Sequence, residues 1–162
     1  CLGKGITGGY LPMSATVAAD RVYSAFLGPD LSTQTLYHGH SYGGNALAAA
    51  VARKHLELIQ SSDVLSNVRA RSQQLEHALL NKVGTLTPVK SVRVCGLMAA
   101  VELDVSCDAL QPRRVCAAMV KRGVLSRSLG SAITIVPPLT TTAGEIERIV
   151  DTLHDSIAAC MR

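Results

Sequence analysis

The sequence predicts an α/β fold, and three features of its 162 residues support that prediction. Apolar runs of strand length alternate with amphipathic helical segments along the chain. Prolines and glycines separate these segments where turns are expected. Hydrophobic residues make up 48% of the chain and aromatic residues only 3%, so the core has to be aliphatic. A chain of this length suits one domain, or a small domain with part of another.

The first sixty residues predict a strand, two helices and a long loop. Residues 11–19 follow a glycine turn and predict a buried strand. Asp20 is placed to cap a short helix after that strand. Residues 31–44 are polar and glycine-rich, which indicates a loop. Asn45 then has the chemistry of an N-cap residue, and the alanine-rich helix behind it is expected to reach Ile59.

A break at Ser61-Ser62-Asp63 separates this part from an amphipathic helix predicted over residues 64–83. Apolar side chains repeat on that helix at helical spacing. Its buried face is expected to contain Leu65, Val68, Leu75, Leu79 and Leu80. We assign residues 1–62 to the end of one domain and residues 63–162 to a small α/β domain.

The small domain is predicted to follow the order strand-strand-helix-strand-strand-helix. Its strands are expected over residues 89–94, 97–105, 124–127 and 132–136. Pro112 suits the first turn of the intervening helix, which ends at Lys121. Thr142 or Thr141 is expected to cap the last helix, with Glu145 in its first turn. This alternation of strands and helices favours a mixed sheet.

Charge and composition exclude several classes of partner. The formal net charge is +4, and the basic residues are scattered with few aromatics among them, so we expect no nucleic-acid partner. The apolar runs fall well short of the roughly 18 residues that a membrane span needs, so no membrane association is expected. The five cysteines are odd in number and form no C-x-x-C pair, which indicates thiols in a reducing cytoplasm.

Lys4 is the first candidate for chemistry. It lies in GKGITGG at residues 3–9, an apolar stretch with no other charge. An amine that acts as a nucleophile needs such a setting, and flanking glycines leave room for a flat cofactor. A surface lysine in a glycine turn is the alternative. The letters also match the dinucleotide fingerprint G-x-G-x-x-G, but that motif needs a strand before it and a helix opening from it.

The second candidate is the loop HGHSYGGNAL at residues 38–47. Backbone amides, the Ser41 hydroxyl and the following helix N-terminus together suit an anion such as a phosphate. A glycine loop capped by Asn45 is the alternative. A metal site on His38 and His40 is disfavoured, because no Cys, Asp or Glu ligand lies close by in the sequence.

Arg127 is the third candidate, within GVLSRSLG at residues 123–130. A guanidinium binds a carboxylate through two parallel hydrogen bonds. A solvent-facing arginine at a strand end is the alternative.

Taken together, these three segments resemble the class III aminotransferases, and the resemblance covers nearly the whole chain. The family has G-K-(A/G)-(L/I)-(T/S)-G-G around its cofactor lysine and H-G-x-(T/S)-(F/Y)-x-G-N-(P/A)-L some tens of residues later. Ser41 and Ala46 stand where most relatives have Thr and Pro. Ser128 stands where a Pro is common in the branch whose arginine segment is matched.

The resemblance implies a pyridoxal 5'-phosphate (PLP) enzyme of fold type I. It implies that Lys4 is the catalytic residue and binds PLP covalently, and that Ser41 binds the PLP phosphate of the neighbouring subunit in a homodimer. Gly39 and Arg127 are implied to bind substrate, a keto acid that also carries an amino group. The amino donor stays open between S-adenosylmethionine and lysine.

The resemblance also implies that residues 1–62 belong to the large PLP-binding domain, and that residues 63–162 form the small C-terminal domain. Because the chain opens within the lysine motif, we expect it to be the C-terminal part of a longer polypeptide. In the family the ring-stacking aromatic residue, the acidic partner of the pyridine nitrogen and the phosphate loop lie upstream. We therefore expect the isolated chain to be a poor catalyst that exposes apolar surface. A non-catalytic α/β binding or assembly module is the rival reading.

Overall fold

The computed structural model describes residues 1–161 and confirms an α/β fold. The chain divides into two compact units, Cys1–Ser62 and Asp63–Arg162. The assignment of each unit to a particular domain of a larger enzyme stays a prediction.

The first unit contains two short regular elements and one long helix. A 3₁₀ turn covers Lys4–Thr7, helix α1 covers Asp20–Ser24 and helix α2 covers Ala46–Ser61. The Asn45 side chain accepts hydrogen bonds from the Leu47 and Ala48 amides, so the predicted N-cap is confirmed.

The strand predicted over residues 11–19 is wrong. Within residues 1–161, this segment makes only one isolated antiparallel bridge, between Leu2 and Ala15. Its side chains are mostly exposed, including Val17 at 79%. A strand needs a neighbour that takes its backbone hydrogen bonds, and the described residues supply one such neighbour for a single residue pair. Asp20 is also the first residue of α1 and not its cap, which is Ala19.

The first unit buries few of its apolar side chains. Its buried residues are Thr7, Ala48 and Ala52. Large apolar side chains stay exposed, among them Tyr10, Leu31, Tyr37, Tyr42 and Leu47. The expected exposure of apolar surface is therefore present in this unit.

The second unit contains a four-stranded sheet and three long helices. Helix α3 covers Val64–Ala78 and continues into a π-helical turn at Leu79–Val83. The strands are β1 (Val89–Cys95), β2 (Met98–Leu103), β3 (Arg127–Leu129) and β4 (Ala132–Ile135). Helix α4 covers Gln111–Lys121 and helix α5 covers Ala143–Cys160.

The sheet has the strand order β1-β2-β4-β3, and each of its three pairings is antiparallel. The prediction of a mixed sheet is therefore wrong. Strands β2 and β3 run in the same direction and are joined through α4, which is the connection that suggested parallel pairing. They never pair, because β4 turns back at Gly130 and lies between them. The third strand also begins three residues later than predicted, at Arg127.

One face of the sheet packs against α3, α4 and α5 and forms the core of this unit. Buried strand residues alternate with less buried ones, as the period of a strand requires. The fully buried large side chains are Leu75, Leu79, Val83, Val101, Leu103, Val115, Met119, Ile133, Ile146, Val150, Leu153 and Ile157. The α3 face was predicted only in part, since Leu65 and Leu80 are about half exposed, at 56% and 51%.

The last helix begins at the cap that the sequence indicated. Thr142 Oγ1 accepts a hydrogen bond from the Glu145 amide, while the Glu145 carboxylate accepts one from the Thr142 amide at 2.7 Å. The Thr142 amide, and after it the Thr142 hydroxyl, donates to the Glu145 carboxylate and lowers the pKa of this carboxyl. Across residues 1–161, no helix has both the length and the apolar character needed to cross a membrane.

Candidate active site

Lys4 is held in a backbone conformation that is uncommon for a lysine. Its φ angle is +48°, in the left-handed region, where a side chain crowds the following carbonyl. Only two other non-glycine residues among 1–161 share a positive φ, Leu31 and Asp63. The lysine is exposed, and a Cβ at the next residue, Gly5, would meet open space. Strained positions of this kind gather at functional sites.

The turn around Lys4 is held from behind by Thr7 and Gly8. Thr7 is fully buried, and its hydroxyl donates to the Leu11 carbonyl at 2.5 Å. Gly8 ends the turn with φ +63° and donates its amide to the Gly5 carbonyl at 3.0 Å. A Cβ at Gly8 would lie 3.0 Å from Nδ1 of His55, so α2 passes directly against this glycine. The lysine is therefore presented outward by a turn whose other side is packed.

The loop that contains Ser41 is organised by His40. The Tyr42 amide donates to His40 Nδ1 at 3.1 Å, and the Gly43 amide donates to the His40 carbonyl at 2.8 Å. The centroids of the His40 and Tyr42 rings lie 5.7 Å apart, and the rings are tilted relative to each other. Ser41, between them, is exposed, as is Gly39, where a Cβ would meet open space. His40 thus accepts both hydrogen bonds that hold this turn, and the turn leaves the Ser41 hydroxyl exposed to solvent.

The N-terminus of α2 is only partly available to an anion. Asn45 already accepts the Leu47 and Ala48 amides at 3.1 and 3.2 Å. A phosphate at this loop would therefore rely on the Ser41 hydroxyl more than on the first-turn amides. The Ser41 loop and the Lys4 turn contact α2 at different points. The Ser41 loop leads into Ala46, and the Lys4 turn packs on His55 through Gly8. At 1.5 Å per residue these points are about 14 Å apart along the helix.

Arg127 lies on the sheet face that the helices leave open. It is the first residue of β3, an edge strand, and pairs with Thr134. Together with Arg93 it lines a cavity of about 760 Å³ whose other walls are mostly apolar. The apolar residues of this cavity are Val94, Met98, Ala99, Ala100, Leu125, Leu129 and Val136.

The two arginines of this cavity differ in their partners. Arg93 donates to the Glu102 carboxylate at 2.8 Å, and this hydrogen bond lowers the pKa of Glu102. Ser91 and Ser131 donate to the same carboxylate at 3.3 Å. No carboxylate within residues 1–161 forms a salt bridge with Arg127. The charge of Arg127 is therefore free for a ligand, whereas that of Arg93 is neutralised.

The described residues offer no metal centre. Across 1–161, no group of three or more His, Cys, Asp and Glu side chains is arranged to hold a metal ion. All five cysteines are free thiols. Cys116 is buried behind β3, and that burial raises the pKa of its thiol, an effect that the neighbouring Ser126 hydroxyl opposes.

Solved structures with this fold define the class of protein. Over 97% of its length the chain matches the crystal structure of the adenosylmethionine-8-amino-7-oxononanoate aminotransferase of Methanocaldococcus jannaschii, with a TM-score of 0.89 and 34% identity. It also matches an amine transaminase from an uncultivated Pseudomonas species in its PLP-bound form, with a TM-score of 0.88, 32% identity and 98% coverage. The fold is that of a PLP-dependent transferase of fold type I.

Residues 1–157 match the family described as aminotransferase class-III, so the chain belongs to that family. Two curated relatives carry the name adenosylmethionine-8-amino-7-oxononanoate aminotransferase. The one from Methanocaldococcus jannaschii is 37% identical over 97% of this chain, and the one from Geobacter sulfurreducens 41% identical over 96%. The chain spans only 36% of the length of each relative.

The residues that support Lys4 and Arg127 have no local signal in the sequence. No local pattern indicates that His55 of α2 packs against Gly8, because the two residues are far apart in the sequence. The hydroxyls of Ser126 and Thr134 likewise carry no sequence signal of a functional role. Thr134 alternates with buried isoleucines in β4 and Ser126 directly precedes β3, but the hydrogen bonds between the two strands depend on the tertiary structure.

Proposed function

We propose that this chain is part of a PLP-dependent aminotransferase that converts 8-amino-7-oxononanoate to 7,8-diaminononanoate in biotin biosynthesis. The observation that carries the proposal is Lys4, an exposed lysine in a left-handed conformation between two glycines, within a chain that belongs to the class III aminotransferases. The relatives' names support the substrate. Because the chain spans about a third of those relatives, the activity belongs to the whole polypeptide.

The residues present fit the cofactor chemically. Lys4 has an exposed amine for a covalent bond to the PLP aldehyde, and Ser41 has an exposed hydroxyl for its phosphate. When bound, PLP supplies the electron sink that lets an amino group move between carbons. The acidic and aromatic partners of its ring are expected from the upstream part of the polypeptide.

In the proposed reaction, the chain's own residues move a proton and bind a carboxylate. The Lys4 amine takes the proton that leaves the carbon of the amino donor and later supplies the proton that arrives at the carbon of the keto acceptor. Arg127 binds the acceptor's carboxylate in the cavity on the open sheet face, whose apolar walls suit an aliphatic chain. Gly39 adds no side chain where substrate approaches its loop. We propose that Ser41 serves the PLP of a second subunit, which makes the active form a homodimer.

Covalent trapping tests the proposal. The native gene product is treated with PLP and borohydride, and labelled peptides are identified by mass spectrometry. We expect label on Lys4 and its loss in Lys4→Arg, which keeps the charge but removes the primary amine. Lys54→Arg is the matched control, since Lys54 is an exposed lysine of the same unit. Labelling that is no stronger at Lys4 than at Lys54 would contradict the enzyme proposal and favour a non-catalytic binding or assembly module.

A further inference from the structure

Arg127 stands at the least supported position of the sheet. Strand β3 has three residues and lies at the edge, so it pairs on one side only. Arg127↔Thr134 is the last pair of the β3–β4 register, and the chain leaves the sheet directly before it. A strand end with so few backbone hydrogen bonds is expected to fray. A guanidinium that has to meet a carboxylate with two hydrogen bonds needs a better fixed backbone than that.

Two side-chain hydroxyls extend the pairing at this point. Ser126 Oγ donates to the Thr134 carbonyl at 2.7 Å, one residue beyond the strand. Thr134 Oγ1 donates to the Arg127 carbonyl at 3.0 Å. We call this pair of bonds the hydroxyl clasp. One of its bonds runs from the residue before β3 to β4 and the other from β4 to β3, so the two bonds flank the backbone of Arg127.

The clasp joins Arg127 to the rigid part of the unit. Thr134 lies between Ile133 and Ile135, which are 0% and 4% exposed in the core. Ser126 lies beside the buried Cys116 of α4. Close-packed interior residues of this kind move little. Both ends of the clasp are thus next to core residues. The backbone of Arg127 is fixed relative to the core through the hydrogen bond to its own carbonyl and through the bond made by the preceding residue, Ser126.

We propose that Ser126 and Thr134 are positioning residues that hold Arg127 in place to bind the substrate carboxylate. The inference rests on the proposed function only through the role of Arg127. Ser126 and Thr134 also line the cavity, but both of their clasp bonds are made to main-chain carbonyls. Loss of a clasp bond therefore lowers the fraction of molecules in which Arg127 is correctly placed. The binding of carboxylate ligands weakens accordingly, while the proton transfer at Lys4 is left intact.

The test uses Thr134→Val and Ser126→Ala in the full polypeptide as the cell produces it. Each removes one clasp bond with little change of volume. We expect KM for 8-amino-7-oxononanoate to rise about 3- to 10-fold in each variant, with kcat within about two-fold of the parent. Thr134→Ser, which restores the hydroxyl, should return KM to the parent value. A direct binding measurement with nonanoate and its uncharged amide, nonanamide, should show that the preference for the carboxylate falls in parallel.

Thr85→Val is the matched control. Thr85 Oγ1 also donates to a main-chain carbonyl, that of Asn81, but in the loop before β1. Its loss should change neither KM nor the preference for nonanoate. Arg127→Ala tests the role of Arg127 independently of the clasp, and we expect it to raise KM about 10- to 100-fold.

Three results would overturn the inference. A raised KM in Arg127→Ala with an unchanged KM in both clasp variants would refute the clasp and leave the proposed function standing. An unchanged KM in Arg127→Ala would refute the role of Arg127, and the clasp with it, while PLP trapping at Lys4 would still decide the reaction class. A failure of Thr134→Ser to restore KM would show that Thr134 acts through packing and not through its hydroxyl.

Discussion

Replacing Gly8 by alanine should destabilise the turn that carries Lys4, and the structure allows the size of the effect to be estimated. The φ angle of +63° costs an alanine about 1–2 kcal/mol. The new Cβ would also lie 3.0 Å from Nδ1 and 3.2 Å from Cε1 of His55. Moving that ring off its rotamer costs about 0.5–1.5 kcal/mol more. The expected loss in the free energy of unfolding is therefore about 1.5–3.5 kcal/mol.

Neighbouring glycines provide controls that separate the two causes. Gly9 has φ +83° but open space around a Cβ, so Gly9→Ala should show only the backbone cost of about 1–2 kcal/mol. Gly5 has neither a positive φ nor a close neighbour, so Gly5→Ala should be neutral or slightly stabilising. The double variant Gly8→Ala/His55→Ala removes the close contact and should retain the backbone cost alone, once the effect of His55→Ala by itself is subtracted.

The assay is urea denaturation of each variant, together with borohydride trapping of PLP on Lys4. If the turn presents the lysine as described, Gly8→Ala should lose both stability and labelling. The ranking Gly8, Gly9, Gly5 in order of falling cost is the decisive result. Equal effects at Gly8 and Gly5 would show that the left-handed turn and its contact with α2 do not hold Lys4.

Two further predictions concern the second unit. Leu153→Ala should lower the free energy of unfolding by about 2–5 kcal/mol, because Leu153 is fully buried where α5 packs on the sheet, and a urea midpoint that stays at the parent value would contradict that packing. Glu145 has a folded-state pKa below its ordinary 4.5, so its contribution to stability is present above that pH and is lost as the pH falls further. Glu145→Gln should therefore flatten the loss of stability measured by urea denaturation below about pH 5, and a slope equal to that of the parent would contradict the cap's role.

The candidate site was predictable as a set of residue types and spacings. Lys4 between glycines and Ser41 ahead of a capped helix are local patterns, and their chemistry can be inferred without a structure. Their roles in cofactor and substrate binding stay proposals, as do those of Gly39 and Arg127. The free guanidinium of Arg127 was not predictable, because the carboxylates that lie near a strand residue depend on which strands pair.

Local sequence by itself determined the elements whose signals lie within a few residues. Asn45 and the Thr142–Glu145 pair cap their helices, and the hairpin turns fall at Gly96 and Gly130, since each of these interactions closes over one to three residues. Only the tertiary structure decided which strands pair and which faces are buried. An extended segment such as residues 11–19 becomes a strand only if another segment takes its hydrogen bonds. On α3, Leu75 is buried in the core whereas Leu65, on the same apolar pattern, is 56% exposed. These outcomes depend on partners far away in the chain, which no local pattern specifies.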